Sequence, residues 1–185
     1  ESKGILSSVL DENATRLLNN YFSNTVLFDD QLRLPIQLNY STPLTLGKDR
    51  ICNAVYAWVK NPLKNSVAID IGTCIKFDMI TKMGSYEGGS ISPGLNLRYR
   101  AMNEFTANLP LLSDTTSIDL IGKSTHESMH SGVMNGMHAE IIQMIERYSS
   151  LFDDLTFFVT GGDAKYFDLH SKNDIFADDN LTLRG

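Results

Sequence analysis

The chain has 185 residues, 42% hydrophobic and 21% charged, with a formal net charge of −6 at neutral pH. That length buries a proper core, as one large domain or two small ones. The acidic balance excludes a generic nucleic-acid binder, which needs a basic face, but allows an anionic ligand held by local glycine loops. No stretch approaches the roughly 20 apolar residues of a membrane span, so no membrane partner is expected. Cys52 and Cys74 fit no Cys-x-x-Cys spacing, which points to a reducing, cytoplasmic setting.

The chain opens on Glu1-Ser2-Lys3 and passes at once into a core strand over 4–10, as expected of a piece of a longer protein. Asp11 is placed to cap a helix that runs through Arg16-Leu17-Leu18 to Tyr21-Phe22. A short strand over 25–28 follows, then a polar loop with Pro35 and Pro43. From Asp49 a second amphipathic helix sets Ile51, Val55, Trp58 and Val59 on one face and ends near Asn61-Pro62. Alternation predicts strands over 66–71 and 75–81, an antiparallel pair around Gly72-Thr73, and a third strand over 86–92. Pro93-Gly94 opens a helix with Leu95, Tyr99, Met102 and Phe105 in one stripe. Ser124-Thr125-His126-Glu127 is a capping box that starts a long helix to about Tyr148. Gly132 and Gly136, one turn apart, predict close packing on that helix. A last strand over 155–159 delivers Thr160-Gly161-Gly162-Asp163 to another helix start. The order is α/β, with ligand loops at strand ends.

Two strings carry most of the chemistry. Gly47-Lys48-Asp49-Arg50 puts an acid and a base at a helix start, either as a cap beside a solvated arginine or as reacting groups. Asp70-Ile71-Gly72-Thr73 ends a hydrophobic strand in a carboxylate, a glycine and a hydroxyl, a pattern suited to phosphate and a cation. Asp70 lies in the apolar run Val67-Ala68-Ile69-Asp70-Ile71, where a carboxylate is costly without a partner, and a potassium ion is a fitting one. Asp78 raises the same question and receives no role. Gly88, Gly89 and Gly94 serve either strand–helix packing or a ligand. Gly161 and Gly162 either make an ordinary turn or let a nucleotide approach helix-start amides.

His126-Glu127-Ser128-Met129-His130 spells the zinc-protease signature His-Glu-x-x-His, but the longer pattern fails. Glycine falls at 132, one residue early, position 136 is Gly136, and Glu127 is explained by the capping box. A third ligand would have to be His138 or Glu146, and neither has a compelling spacing. Zinc is not expected.

Asp-x-Gly-Thr at 70–73, Gly88-Gly89 with Pro93-Gly94-Leu95, Gly47-Lys48-Asp49-Arg50-Ile51-Cys52-Asn53-Ala54 upstream and Thr160-Gly161-Gly162-Asp163-Ala164 downstream together resemble type III pantothenate kinase. The match runs from Ser7-Ser8-Val9 to Leu181-Thr182-Leu183-Arg184-Gly185. The resemblance implies an α/β fold of the ribonuclease H-like, actin-like ATPase class with two similar halves, the first incomplete, divided into 1–64 and 65–185. It implies ATP-dependent phosphorylation of pantothenate, with Mg2+ and a monovalent cation (K+ or NH4+), in a homodimer. By the same resemblance Asp49 is the general base, and Tyr40, Gly47, Lys48, Asp49, Arg50 and Thr125 contact pantothenate. Thr73, Gly161 and Gly162 meet ATP, and Asp70 binds the monovalent cation. Lys48 and Arg98 depart from the family's usual small residue and serine. The family's first Asp-x-Gly-Asn-Thr loop, which holds the phosphates and magnesium, has no counterpart in the chain. On that ground the polypeptide alone is expected to be inactive. The alternatives are a non-catalytic ligand-sensing relative on the same fold and a sugar or acetate kinase of the same superfamily, the latter disfavoured by Gly-x-Asp-Arg.

Overall fold

The structure, a computed structural model, describes residues 4–8, 12–22, 24–29, 31–116, 118–169 and 174–185. Its centre is a six-stranded sheet built from β3 (Gln37–Leu38), β4 (Asn65–Ile71), β5 (Cys74–Ile80), β6 (Ser85–Pro93), β7 (Leu155–Thr160) and β8 (Asp174–Ala177), in the order β3-β6-β5-β4-β7-β8. β4, β5 and β6 form the expected antiparallel meander, and β7 and β8 add to β4 in parallel. β3 and β8, too short or too polar to show alternation, are additions to the sequence reading, and β3 runs parallel to β6.

Helices cover both faces. α3 (Leu95–Glu104) and α4 (Thr125–Leu151) lie on one, where Ile69, Ile71, Phe77, Met137 and Ile141 are sealed in an apolar core. α2 (Lys48–Lys60) and the short α5 (Leu181–Arg184) lie on the other, around Ala54, Ala57, Ala68, Ile80, Tyr86 and Phe158. This second core also takes in Phe28, Ile36 and Leu46, so residues before and after 64/65 share it. The α2 stripe differs from expectation. Ala54 and Ala57 are fully buried while Val59 is 59% exposed, because the two small residues let the helix lie close on the sheet. Likewise Phe105 is exposed, since α3 ends one residue before it. Trp58 is half-buried, its ring set against Gly84 and its Nε1 donating to the Lys82 carbonyl at 3.2 Å. Gly84 holds φ +78°, a conformation that suits glycine.

β1 (Gly4–Leu6) and β2 (Thr25–Leu27) form a separate two-stranded parallel sheet joined by α1 (Glu12–Tyr21). Gly4–Leu6 is not the core strand expected: Ile5 is 59% exposed, because one helix and two strands bury little surface. The proposed cap Asp11 lies outside the described residues.

Candidate active site

Strand register brings the charged residues together. Asp70 stands directly opposite Lys76 across β4–β5, and Ala68 opposite Asp78. Side chains alternate along a strand, so Asp70, Lys76 and Asp78 share the face covered by α2. The first turn of α2 meets them there. Lys76 Nζ donates to Asp49 Oδ2 at 2.6 Å and to Asp70 Oδ2 at 2.7 Å. Burial works to raise the pKa of Asp49, but the hydrogen bond and charge of Lys76, with the Arg50 amide, outweigh it and hold the carboxyl below its ordinary value. For Lys76, burial works to lower the pKa, and the two carboxylates reverse this and raise it.

Asp49 is not the helix cap. Gly47 is the N-cap, and Asp49 sits in the first turn, where the helix dipole favours a carboxylate. A β-carbon at 47 would stand 2.5 Å from Asp49 Oδ1, so the glycine leaves room for that oxygen.

Arg50 is turned inward rather than toward a substrate. It is 5% exposed, its Nε donates to Asp78 Oδ1 at 2.7 Å, and its Nη2 lies 2.6 Å from the same oxygen. Tyr86 donates to that oxygen too, at 2.7 Å, while Asp78 Oδ2 has no hydrogen-bond partner among the described residues. Burial pushes the Asp78 carboxyl up, against the opposing pull of Arg50. The carboxylate without a role in the sequence is thus the anchor of Arg50. Arg50 also bonds Tyr40, whose ring packs on Tyr86 at 5.8 Å between centroids. Lys48 sends its ammonium over the Phe28 ring, 5.7 Å from the centroid.

A second group gathers at the strand tips. The Gly94 amide donates to the Thr73 carbonyl at 3.0 Å, and the Asp163 amide to the Ile71 carbonyl at 3.0 Å. The ends of β4, β6 and β7 are therefore sewn together by backbone. Gly161, at φ +101°, leaves no room for a β-carbon against the Ile71 backbone, so its glycine is required by packing. At Gly162 a β-carbon would meet nothing within 4 Å among the described residues, and Thr73 is exposed. The expected helix after this loop is a single 3-10 turn, Ala164–Tyr166. Its first amides, Asp163 and Ala164, bond Ile71 and Gly161, so they offer no helix-start anion site.

Thr125 is not brought to Asp49. It opens α4 on the opposite face of the sheet, exposed, just after the N-cap Ser124. The Glu127 amide donates to Ser124 Oγ at 3.1 Å, the first half of the expected capping box, while the Glu127 carboxylate accepts from the Lys123 amide, one residue before the N-cap. His126 pairs with Asp114 at 2.7 Å. Both ring nitrogens of His130 have protein partners, Tyr99 and Thr116. Gly132 and Gly136 face open space: among the described residues nothing packs on them as expected. Arg98 binds Glu140, which also accepts from Ser92, and donates to the Pro93 carbonyl, tying α3 to α4.

Among the described residues no group of three or more His, Cys, Asp or Glu side chains could hold a metal ion. A potassium ion is the expected partner of Asp70; the cation against it is instead Lys76. With both converging carboxylate oxygens taken, a free potassium or ammonium ion does not fit between Asp49 and Asp70 beside the lysine. Lys76 was missed by the sequence reading. Its signal was a lysine inside an apolar strand, on the same alternation as Asp78.

A family model described as type III pantothenate kinase matches residues 2–147. A type III pantothenate kinase of Christiangramia forsetii is 45% identical over 185 residues, covering 99% of this chain and 76% of that protein. One from Azobacteroides pseudotrichonymphae is 40% identical, covering 98% and 75%. A solved structure of a conserved Baf family protein from Campylobacter jejuni superposes with a TM-score of 0.64 at 22% identity, over 100% of this chain and 80% of that one, and so shares the fold.

Proposed function

The chain belongs to the type III pantothenate kinase family, and we propose that it moves the γ-phosphate of ATP to the primary hydroxyl of pantothenate with Asp49 as general base. The product is 4′-phosphopantothenate, on the way to coenzyme A. Membership carries the actin-like α/β fold class with it, and we read 1–64 and 65–185 as its two halves.

The observation that carries the mechanism is the setting of Asp49: half-exposed and held by one oxygen, Oδ2, on the Lys76 ammonium. The other oxygen, Oδ1, beside Gly47, is the acceptor for the substrate proton. The hydroxyl oxygen forms its bond to the γ-phosphorus as the bond to the bridging oxygen breaks and ADP leaves, and the hydroxyl proton passes to Oδ1. In a loose transition state this acceptor is needed late, so alignment matters more than basicity.

Tyr40, Gly47 and Lys48 line the pantothenate side. Arg50 acts as a positioning residue there, pinned by Asp78. Thr73 and Gly162 meet the nucleotide at the backbone-sewn tips, with Gly161 setting the turn. Asp70, with Lys76 against it, would contribute a monovalent positive centre that offsets the charge of the ATP phosphates, and Mg2+ brought with ATP would supply further neutralising charge. Thr125, on the far face, reaches substrate from a second copy in a homodimer, for which the open α4 face is the contact. ATP as co-substrate assigns the work to the cytoplasm.

The test is a coupled ATP-to-ADP assay on the full-length protein with and without pantothenate. Pantothenate-dependent ADP release is expected. A folded protein that binds pantothenate and releases no ADP overturns the reading in favour of a ligand-sensing relative.

A further inference from the structure

We propose that Lys76 is a tethered monovalent cation: its ammonium takes the place of a free potassium or ammonium ion between Asp49 and Asp70, so that turnover needs neither salt. The inference rests on the kinase reading for its effect on turnover, but its geometry stands apart from it.

Two carboxylates within hydrogen-bond reach of one nitrogen repel each other unless a positive charge lies between them. The chain places that charge itself. The β4–β5 register fixes the lysine stem opposite Asp70, and α2 brings Asp49 over the ammonium from a separate element. Lys76 is only 19% exposed and Asp70 15%, so the pair is partly shielded from solvent screening. An ammonium has the charge of potassium and nearly its ionic size, and the carboxylates use two of its three donors. A strand-borne cation is also always present, whereas a free ion must be bound from solution each time the site forms.

Lys76 then acts as a positioning residue. It fixes Oδ2 of Asp49 and keeps the carboxylate ionised, leaving Oδ1 to face the hydroxyl. A lysine serving only to hold the strand pair would not decide the salt requirement.

The experiment compares the full-length protein and Lys76→Met in potassium chloride and in tetramethylammonium chloride at equal ionic strength, by turnover and by thermal melting. The wild type is expected to turn over at rates within about twofold in the two salts, and its melting temperature to ignore the exchange. Lys76→Met is expected to lose about 10²-fold in tetramethylammonium, to recover at least tenfold as potassium saturates the vacated site, and to melt higher in potassium. A wild type that needs added potassium, by tenfold or more, overturns the proposal whether or not the variant folds. A folded Lys76→Met with no potassium-dependent rise in melting temperature overturns it as well. Absence of pantothenate-dependent turnover in both salts counts against the kinase reading instead, and the melting comparison still judges the lysine.

Discussion

Asp70 and Asp78 lie on neighbouring strands of one sheet, on the same face and under the same helix, yet they hold their cations in different ways. Asp78 and Arg50 are sealed, with side chains 0% and 6% exposed. The Lys76 cluster is open on one side, with Asp49 44% exposed. A sealed pair cannot reach a substrate; it fixes the helix start that bears Asp49. An open pair leaves its carboxylate within reach of a substrate. Burial, more than charge, separates anchor from reagent along α2.

The largest effect that could break this contrast is on stability. Asp78→Ala leaves Arg50 as a buried charge without its partner, and a loss of about 3–5 kcal/mol is expected in urea unfolding. A loss under 1 kcal/mol would show that the pair is not sealed. Asp49→Asn should act mainly on turnover, cutting it by about 10²-fold or more, with a smaller loss in urea unfolding than Asp78→Ala because Asp49 is half-exposed. Near-wild-type turnover in that variant removes Asp49 as the base.

Gly47→Ala sharpens the contrast further. Its methyl group displaces Asp49 Oδ1, and kcat should fall by about tenfold with the fold intact. Unchanged kcat would mean that Oδ1 is not the proton acceptor. The smallest effect is read by carboxyl NMR titration. Asp49, held down by Lys76 against the pull of burial, should titrate below an ordinary aspartate, and Asp78, pushed up by burial, above one. The signs follow. The lowered pKa of Asp49 contributes stability above its unfolded value, and this is lost as pH falls through the folded one. The raised pKa of Asp78 favours the fold at low pH, and that contribution is lost as pH rises through its folded value. Midpoints in the reverse order would dissolve the distinction between the two clusters.

Much of this arrangement was legible in the sequence. The meander shows itself by alternation over 66–92, the capping box marks the start of α4, and Asp49 and Asp70 are conspicuous for their neighbours. What was not legible depended on contacts between distant segments. The partner of Asp70 comes from the next strand's register, and that of Asp78 from a helix 28 residues upstream. The burial of Ala54 and Ala57 over Val59 reflects how closely a helix docks, which periodicity cannot weigh. Gly161 and Gly162 read alike in the string Thr160-Gly161-Gly162, yet one is demanded by the Ile71 backbone and the other faces open space.

The seat of Trp58 has a practical consequence. It is the chain's single tryptophan, and it spans the seam between α2 and the Lys82–Gly84 turn, where β5 gives way to β6. Its indole emission therefore reports on one joint alone, the docking of the helix that carries Asp49. Loosening of α2 should appear as a red shift and easier quenching by acrylamide, an optical readout that needs no label and no substrate.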